Sequence, residues 1–207
     1  MAKRLFNKVA IVGVGLIGGS LGQAIKKKGL AREVVGLARR RQTIRLGVRQ
    51  KAIDKGFLHP EAALKDADLI VLATPVETII KFIPRITKYL KKGCLVTDVG
   101  SCKEKIVAVM ERKMPKGIAF VGSHPLAGSE KKGVNFSDPD IFKNTLCILT
   151  STDRTSKDAI KRLKKLWGLL GAKVAIWDPR THDKILACLS HLPHVLAFNL
   201  IETIPAS

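Results

Sequence analysis

The stretch Val9-Ala10-Ile11-Val12-Gly13-Val14-Gly15-Leu16-Ile17-Gly18 constrains this chain more than any other. An uncharged, β-branched run leads into G-x-G-x-x-G, and an amphipathic segment, Leu16–Lys28, leads out of it. A strand, a tight turn and a helix satisfy that order, the setting in which the motif has a mechanical meaning. Gly13 permits the turn, Gly15 lets the backbone approach a pyrophosphate, and Gly18 lets helix and strand pack closely. Leu16 and Ile17 open the helix, whose N-terminal amides face the phosphates. The ligand expected is a dinucleotide. The stretch also has a superficial likeness to a signal peptide, because basic Met1–Lys8 precedes uncharged Val9–Ile25. Its glycines make it poor material for a hydrophobic helix, and it falls short of the roughly 20 apolar residues of a membrane span. A soluble, cytoplasmic protein without membrane partners is expected.

The rest of the chain keeps the same rhythm. Short apolar runs at Lys8–Val12, Val34–Leu37, Leu69–Ala73, Leu95–Asp98, Ala119–Gly122, Leu146–Leu149 and Val174–Ile176 read as strands. They are mostly continuous rather than alternating, as in strands buried on both faces of a parallel sheet. Helical patterns fall between them: Thr43–Ile53, Glu61–Leu64, Val76–Leu90 with Pro84 as a kink, Lys103–Arg112, and Ser156–Leu170 capped by Thr155 or Ser156. The alternation predicts an α/β fold, a Rossmann-type doubly wound, mostly parallel sheet. Near Pro179 the rhythm stops, and Thr181–Ile204 reads as one long helix that Pro193 is expected to bend. The expected division is a dinucleotide-binding domain, 1–178, followed by the first long helix of a truncated all-helical domain, 179–207. The apolar residues of that helix need partners, from a missing domain or another subunit.

Charge and cysteine usage narrow the function classes. The chain carries 37 Lys+Arg against 17 Asp+Glu, a net charge of +20. Its basic residues are scattered, with short clusters at Arg39–Arg41, Lys26–Lys28 and Lys161–Lys165. No basic stripe is interleaved with aromatics, so a nucleic-acid partner is not expected, and a small anionic substrate is. Cys94, Cys102, Cys147 and Cys188 form no CxxC pair and no zinc spacing, which predicts free thiols in a reducing compartment.

An NAD-selective site places a carboxylate at the end of the second strand. Here Ala38 stands there, followed by Arg39 and Arg40, and Glu33 lies at the wrong end of the strand. An arginine can pair with a 2′-phosphate, which favours NADP over NAD. The alternatives are a merely solvated turn, or arginines stacked on adenine in an NAD enzyme. Three later strand ends carry polar loops that should converge on the nicotinamide: Thr74-Pro75, Gly100-Ser101-Cys102-Lys103, and Ser123 to Lys131 with His124, Ser129 and Glu130. A serine and a histidine on neighbouring strand ends suit hydroxyl recognition and proton abstraction, which makes Ser101 and His124 the catalytic candidates. On the long helix, Ser190 and His194 follow Asp183 by 7 and 11 residues. An ideal helix puts both within about 20° of Asp183. His191 and His194 find no further His or Cys, so no metal is expected.

The strings GVGLIGGSL, ATPVE, TDVGSCK, GSHPLAGSEKKGV and SHLPHVLAF occur in this order and strongly resemble the prephenate/arogenate dehydrogenase family of tyrosine biosynthesis, over essentially the whole chain. The resemblance implies oxidative decarboxylation of prephenate to 4-hydroxyphenylpyruvate, or of arogenate to tyrosine. It implies that His124 takes the proton of the ring C4 hydroxyl as hydride leaves, and that Ser101 bonds that hydroxyl and His124. It further implies that Ser129 and Glu130 lie at the site mouth, that Asp183 joins Glu130 in a gating network, and that Ser190 and His194 line the pocket. A homodimer through the C-terminal helical domain, with a substrate-gripping arginine beyond this chain, is implied too. The competing readings are a β-hydroxyacid or imine NADP dehydrogenase, which would want a lysine on the long helix, and a non-catalytic dinucleotide sensor, which would need neither Ser101 nor His124.

Overall fold

The computed structural model describes residues 4–203, without the side chains at 191, 194, 198 and 202. Eight strands form one sheet. In chain order the elements are β1 Phe6–Val12, α1 Leu16–Lys27, β2 Ala31–Leu37, α2 Arg41–Arg49, β3 Lys55–Phe57, α3 Pro60–Leu64, β4 Leu69–Leu72, α4 Val76–Ile86, β5 Leu95–Asp98, α5 Glu104–Lys113, β6 Ala119–Pro125, β7 Leu146–Thr150, α6 Lys157–Leu169, β8 Lys173–Trp177, α7 Pro179–Leu186 and α8 Leu192–Glu202. The strand order is β3-β2-β1-β4-β5-β6-β7-β8. Every neighbouring pair is parallel except β6 and β7. The order reverses between β1 and β4, and a ligand crevice opens at such a switch point, at the strands' carboxyl ends.

Both faces of the central sheet are covered, which is why β4 and the later halves of β1 and β2 are apolar throughout. Val9 and Ile11 of β1 and Leu69 and Val71 of β4 join α1 and α6 in one core. Ala10, Val12, Ile70 and Leu72 join α3, α4 and α5 in the other. Trp167 of α6 is fully buried, meets Phe142 edge-on at 5.3 Å, and donates its indole N–H to Ser123 Oγ at 3.3 Å. Ser156 caps α6, its Oγ accepting from the Ala159 amide at 3.3 Å.

Several elements depart from the sequence reading. The short β3 was not foreseen, because Lys55-Gly56-Phe57 is too brief to show a pattern. The strand through Val121 continues to Pro125, so His124 sits on rigid sheet rather than in a loop. The α4 helix closes at Ile86 in a 3-10 turn, Thr87–Tyr89, with Pro84 inside its last turn. The long C-terminal helix is broken by a π-helical turn at Ala187–His191, immediately before Pro193. Pro193 has no N–H to give to the preceding turn, and a widened turn is one way a helix absorbs that loss. From Pro179 to Ile201 the helical run is long and apolar enough, by length and composition alone, to cross a bilayer.

Candidate active site

The glycine loop is built for a ligand. Gly13 has φ +98, and a Cβ there would lie 2.5 Å from the Ala73 carbonyl oxygen, so the turn admits only glycine. A Cβ on Gly18 would lie 2.1 Å from the Gly13 carbonyl oxygen, which seats α1 tightly on β1. Gly15 has nothing within 4 Å of that position. It caps α1 without a side-chain hydrogen bond, and the first turn, opened by Leu16 and Ile17, holds no acidic residue. Open space before uncapped N-terminal amides fits a pyrophosphate. Thr74 and exposed Pro75 close the crevice from the end of β4.

At the end of β2, Arg39 and Arg40 are exposed, and among the described residues no carboxylate forms an ion pair with either. Glu33 is paired with Lys55 at 2.6 Å. In register it lies opposite Lys8, whereas the glycine loop follows Val12, opposite Leu37. Glu33 thus sits at the end of the sheet away from the crevice.

His124, 9% exposed, lines a cavity of about 510 Å³ with Leu126, Trp177, Ile185, Leu189 and Ser190. The loop that leaves it comes down on α1: a Cβ on Gly128 would lie 3.9 Å from Ile17 Cδ1. The glycine loop and the His124 cavity therefore share a border. Ser101 stands exposed after β5, the strand paired with β6, so Ser101 and His124 occupy neighbouring strand ends. Ser129 and Glu130 are exposed on the loop beyond, where Ser129 Oγ accepts from the Lys131 amide at 3.2 Å. Ser190 is half-buried in the cavity wall, and the side chain of His194 lies outside the described residues.

His124 Nδ1 is hydrogen-bonded to His182 Nε2 at 2.9 Å, and His182 Nδ1 to Asp183 Oδ1 at 2.7 Å. Asp183 in turn holds the start of α5, accepting from the Lys103 amide at 2.7 Å and the Glu104 amide at 2.9 Å. Burial works against ionising Asp183. The Glu104 and Lys103 amides and the His182 ring outweigh it, and the carboxyl is held below the usual range. Burial pushes the pKa of His182 down against the pull of Asp183.

The partners of Asp183 are thus His182 and the α5 amides. The π-turn also lies between Asp183 and Ser190, so the single stripe drawn on an ideal helix does not hold. His182 itself was missed. It stands four residues before buried Leu186 and three after buried Pro179, so it belongs to the buried face of α7, and that periodicity was the available signal. Beneath the Ser101 loop, Lys103 and Asp98 form a fully buried ion pair, with Lys103 Nζ also donating to the Ser123 carbonyl at 3.1 Å. Among the described residues no cluster of His, Cys, Asp and Glu is able to hold a metal.

Comparison with known proteins adds an independent line. The family model of the prephenate dehydrogenase nucleotide-binding domain matches residues 21–176, and that of the prephenate dehydrogenase dimerization domain matches 178–207. The chain is 33% identical to a prephenate dehydrogenase of Bacillus subtilis, over 95% of its own length and 53% of the relative's. It superposes on the crystal structure of prephenate dehydrogenase from Aquifex aeolicus, in complex with hydroxyphenyl propionate and NAD+, with TM-score 0.89 and 33% identity, covering 98% of this chain and 70% of that one. The Synechocystis arogenate dehydrogenase structure matches with TM-score 0.85 and 29% identity, covering 94% of this chain and 68% of that one. The chain spans about half the length of the Bacillus subtilis and Lactococcus lactis prephenate dehydrogenases that it matches.

Proposed function

Because the chain belongs to the prephenate dehydrogenase family, we propose that it supplies the dinucleotide-binding half and the proton-accepting wall of an enzyme converting prephenate to 4-hydroxyphenylpyruvate, with loss of CO2 and transfer of the C4 hydride to a nicotinamide dinucleotide. The observation that carries this reading is His124, held on a strand at the wall of a cavity that borders the glycine loop.

The dinucleotide, when bound, supplies the hydride acceptor. Gly13, Gly15, Leu16, Ile17 and Gly18 would hold its pyrophosphate, with Thr74, Pro75 and Ser101 along the crevice. Arg39 and Arg40 favour NADP, since a guanidinium beside a ribose pairs with a 2′-phosphate and no carboxylate there repels it. His124 takes the proton of the C4 hydroxyl and returns one as the phenol forms, ending neutral. Ser101 steadies that hydroxyl. Ser129 and Glu130 edge the mouth, while Ser190 and His194 contribute to the pocket wall.

The domain division at 178/179 is part of this reading, as is a homodimer built on the helical segment that follows. Six large apolar side chains of that segment are exposed, among them Leu189, Leu196 and Leu200, which supports a subunit face. A cytoplasmic setting goes with it, and four free cysteines support that.

Initial rates of absorbance gain at 340 nm, with prephenate or arogenate crossed against NADP or NAD, test the proposal. Turnover is expected, fastest with prephenate and NADP. The His124→Ala variant should lose about 10²-fold or more in kcat with KM changed by only a few fold. Faster turnover of arogenate would move the substrate assignment. A folded protein that binds dinucleotide yet turns over neither substrate would leave the sensor reading.

A further inference from the structure

The contact between His124 and His182 carries more than packing. An ionised carboxylate only accepts hydrogen bonds, so the Asp183 oxygen 2.7 Å from His182 Nδ1 requires a proton on that nitrogen. His182 is completely buried, hydrogen-bonded to Asp183 and to the His124 ring, and burial keeps it neutral with a single ring proton. Its Nε2 therefore bears a lone pair and must accept across the 2.9 Å contact from His124 Nδ1. We propose that His182, backed by Asp183, is a positioning residue that fixes His124 as the tautomer with its proton on Nδ1 and its lone pair on Nε2.

Only in that tautomer does the histidine offer Nε2 as a base. When Nε2 gains a proton, the positive ring donates from Nδ1 into a neutral acceptor with a carboxylate behind it, and that stabilises the cation. The order of groups resembles the carboxylate that orients a catalytic imidazole, with a second imidazole interposed. Asp183 cannot be moved without cost, because the same two oxygens hold the first amides of α5. The groups facing His182 are Asp183 on its own helix, Asp98 at the end of β5, Lys103 from the β5–α5 connection, the His124 ring from β6, and the Trp177 ring from β8 at 6.5 Å.

The catalytic consequence rests on the proposed role of His124 as base, but the tautomer is a property of the resting protein. Long-range 15N–1H correlation spectra of the 15N-histidine-labelled protein at neutral pH read it directly, with the His124 ring identified by its loss in His124→Asn. The expected pattern is Nδ1–H on both His124 and His182. An Nε2–H pattern on His124, or rapid averaging of the two tautomers, would overturn the proposal whether or not the protein turns over prephenate.

For the consequence, His182→Phe keeps the volume and removes the acceptor. It should lower kcat about tenfold or more with KM within about threefold, and move the acid limb of the kcat profile to lower pH. His182→Gln, whose amide oxygen reaches the place of Nε2, should recover much of both. Loss of rate with an unmoved acid limb and no recovery in His182→Gln would assign His182 a structural role. Absence of turnover in the unaltered protein, with the Nδ1–H pattern present, would defeat the reaction and leave the positioning intact.

Discussion

At the scale of single residues, the glycine loop separates two demands that usually travel together. Gly18 has no room: a methyl group there would meet the Gly13 carbonyl at 2.1 Å. Gly15 has room for any side chain, since nothing stands within 4 Å. If that space belongs to a pyrophosphate, Gly15→Val should leave the melting temperature nearly unchanged and weaken dinucleotide binding about tenfold or more, because the side chain blocks the close backbone approach. Gly18→Val should cost folding itself, with overpacking worth about 1–3 kcal/mol or more. Calorimetric titration with NADP and NAD, beside thermal melts, checks both. Full dinucleotide affinity in a folded Gly15→Val protein would remove the ligand from this loop. These glycine roles were legible from the sequence because the motif's spacing encodes backbone geometry. The place of Glu33 was legible too, since it precedes Val34 and Val35 and so lies in the first half of its strand. The His124–His182 contact was not, because the partners are 58 residues apart and nothing local announces a histidine pair.

Elements obey the same distinction. Continuous Val- and Ile-rich runs announced seven of the strands, and burial on both faces is what makes such runs apolar. Direction is a different matter: the antiparallel entry of β7 beside β6 depends on where the 126–145 connection leads the chain, and no residue in Leu146–Thr150 records it. The π-turn has a local cause in Pro193, but a proline predicts disturbance without saying whether it is a kink or a widened turn. The α5 helix shows how one element leans on another. The side chain of its N-cap, Lys103, makes no capping hydrogen bond, and Asp183 of α7 does the capping from outside. Removing it in Asp183→Ala should cost about 1–2 kcal/mol at neutral pH, the usual range for a lost cap. The pH dependence has a definite sign. Asp183 titrates below the ordinary carboxyl value of 3.8 in the folded protein, so its contribution is present above that value and fades as pH falls through the folded one. Urea unfolding across an acid series should therefore show the gap between Asp183→Ala and the unaltered protein narrowing below about pH 4. A gap of constant size would assign the loss to packing rather than to the carboxylate.

The whole molecule poses one question that neither sheet nor site answers, namely what covers its last helix. Leu192, Val195, Leu196, Leu200 and Ile201 are each more than half exposed, and Leu189 is 75% exposed. Single exposed leucines are ordinary on a protein surface, whereas a contiguous apolar face marks a partner. Burying each such side chain contributes about 1.5–3 kcal/mol, enough in sum to offset the ordering cost of association. The same face would satisfy a bilayer by length and composition, so apolarity alone does not choose. The net charge of +20 and the basic helices leave most of the remaining surface strongly hydrated. The match of residues 178–207 to a dimerization domain favours a second copy of the chain. Sedimentation velocity should then show dimers, and Leu196→Glu with Leu200→Glu should shift them toward monomer, because two buried carboxylates per subunit cannot be solvated inside a dry interface. Flotation with lipid vesicles separates the two occupants. The dimer reading expects protein that stays below the lipid, and a monomer that floats with the vesicles would give the face to a membrane.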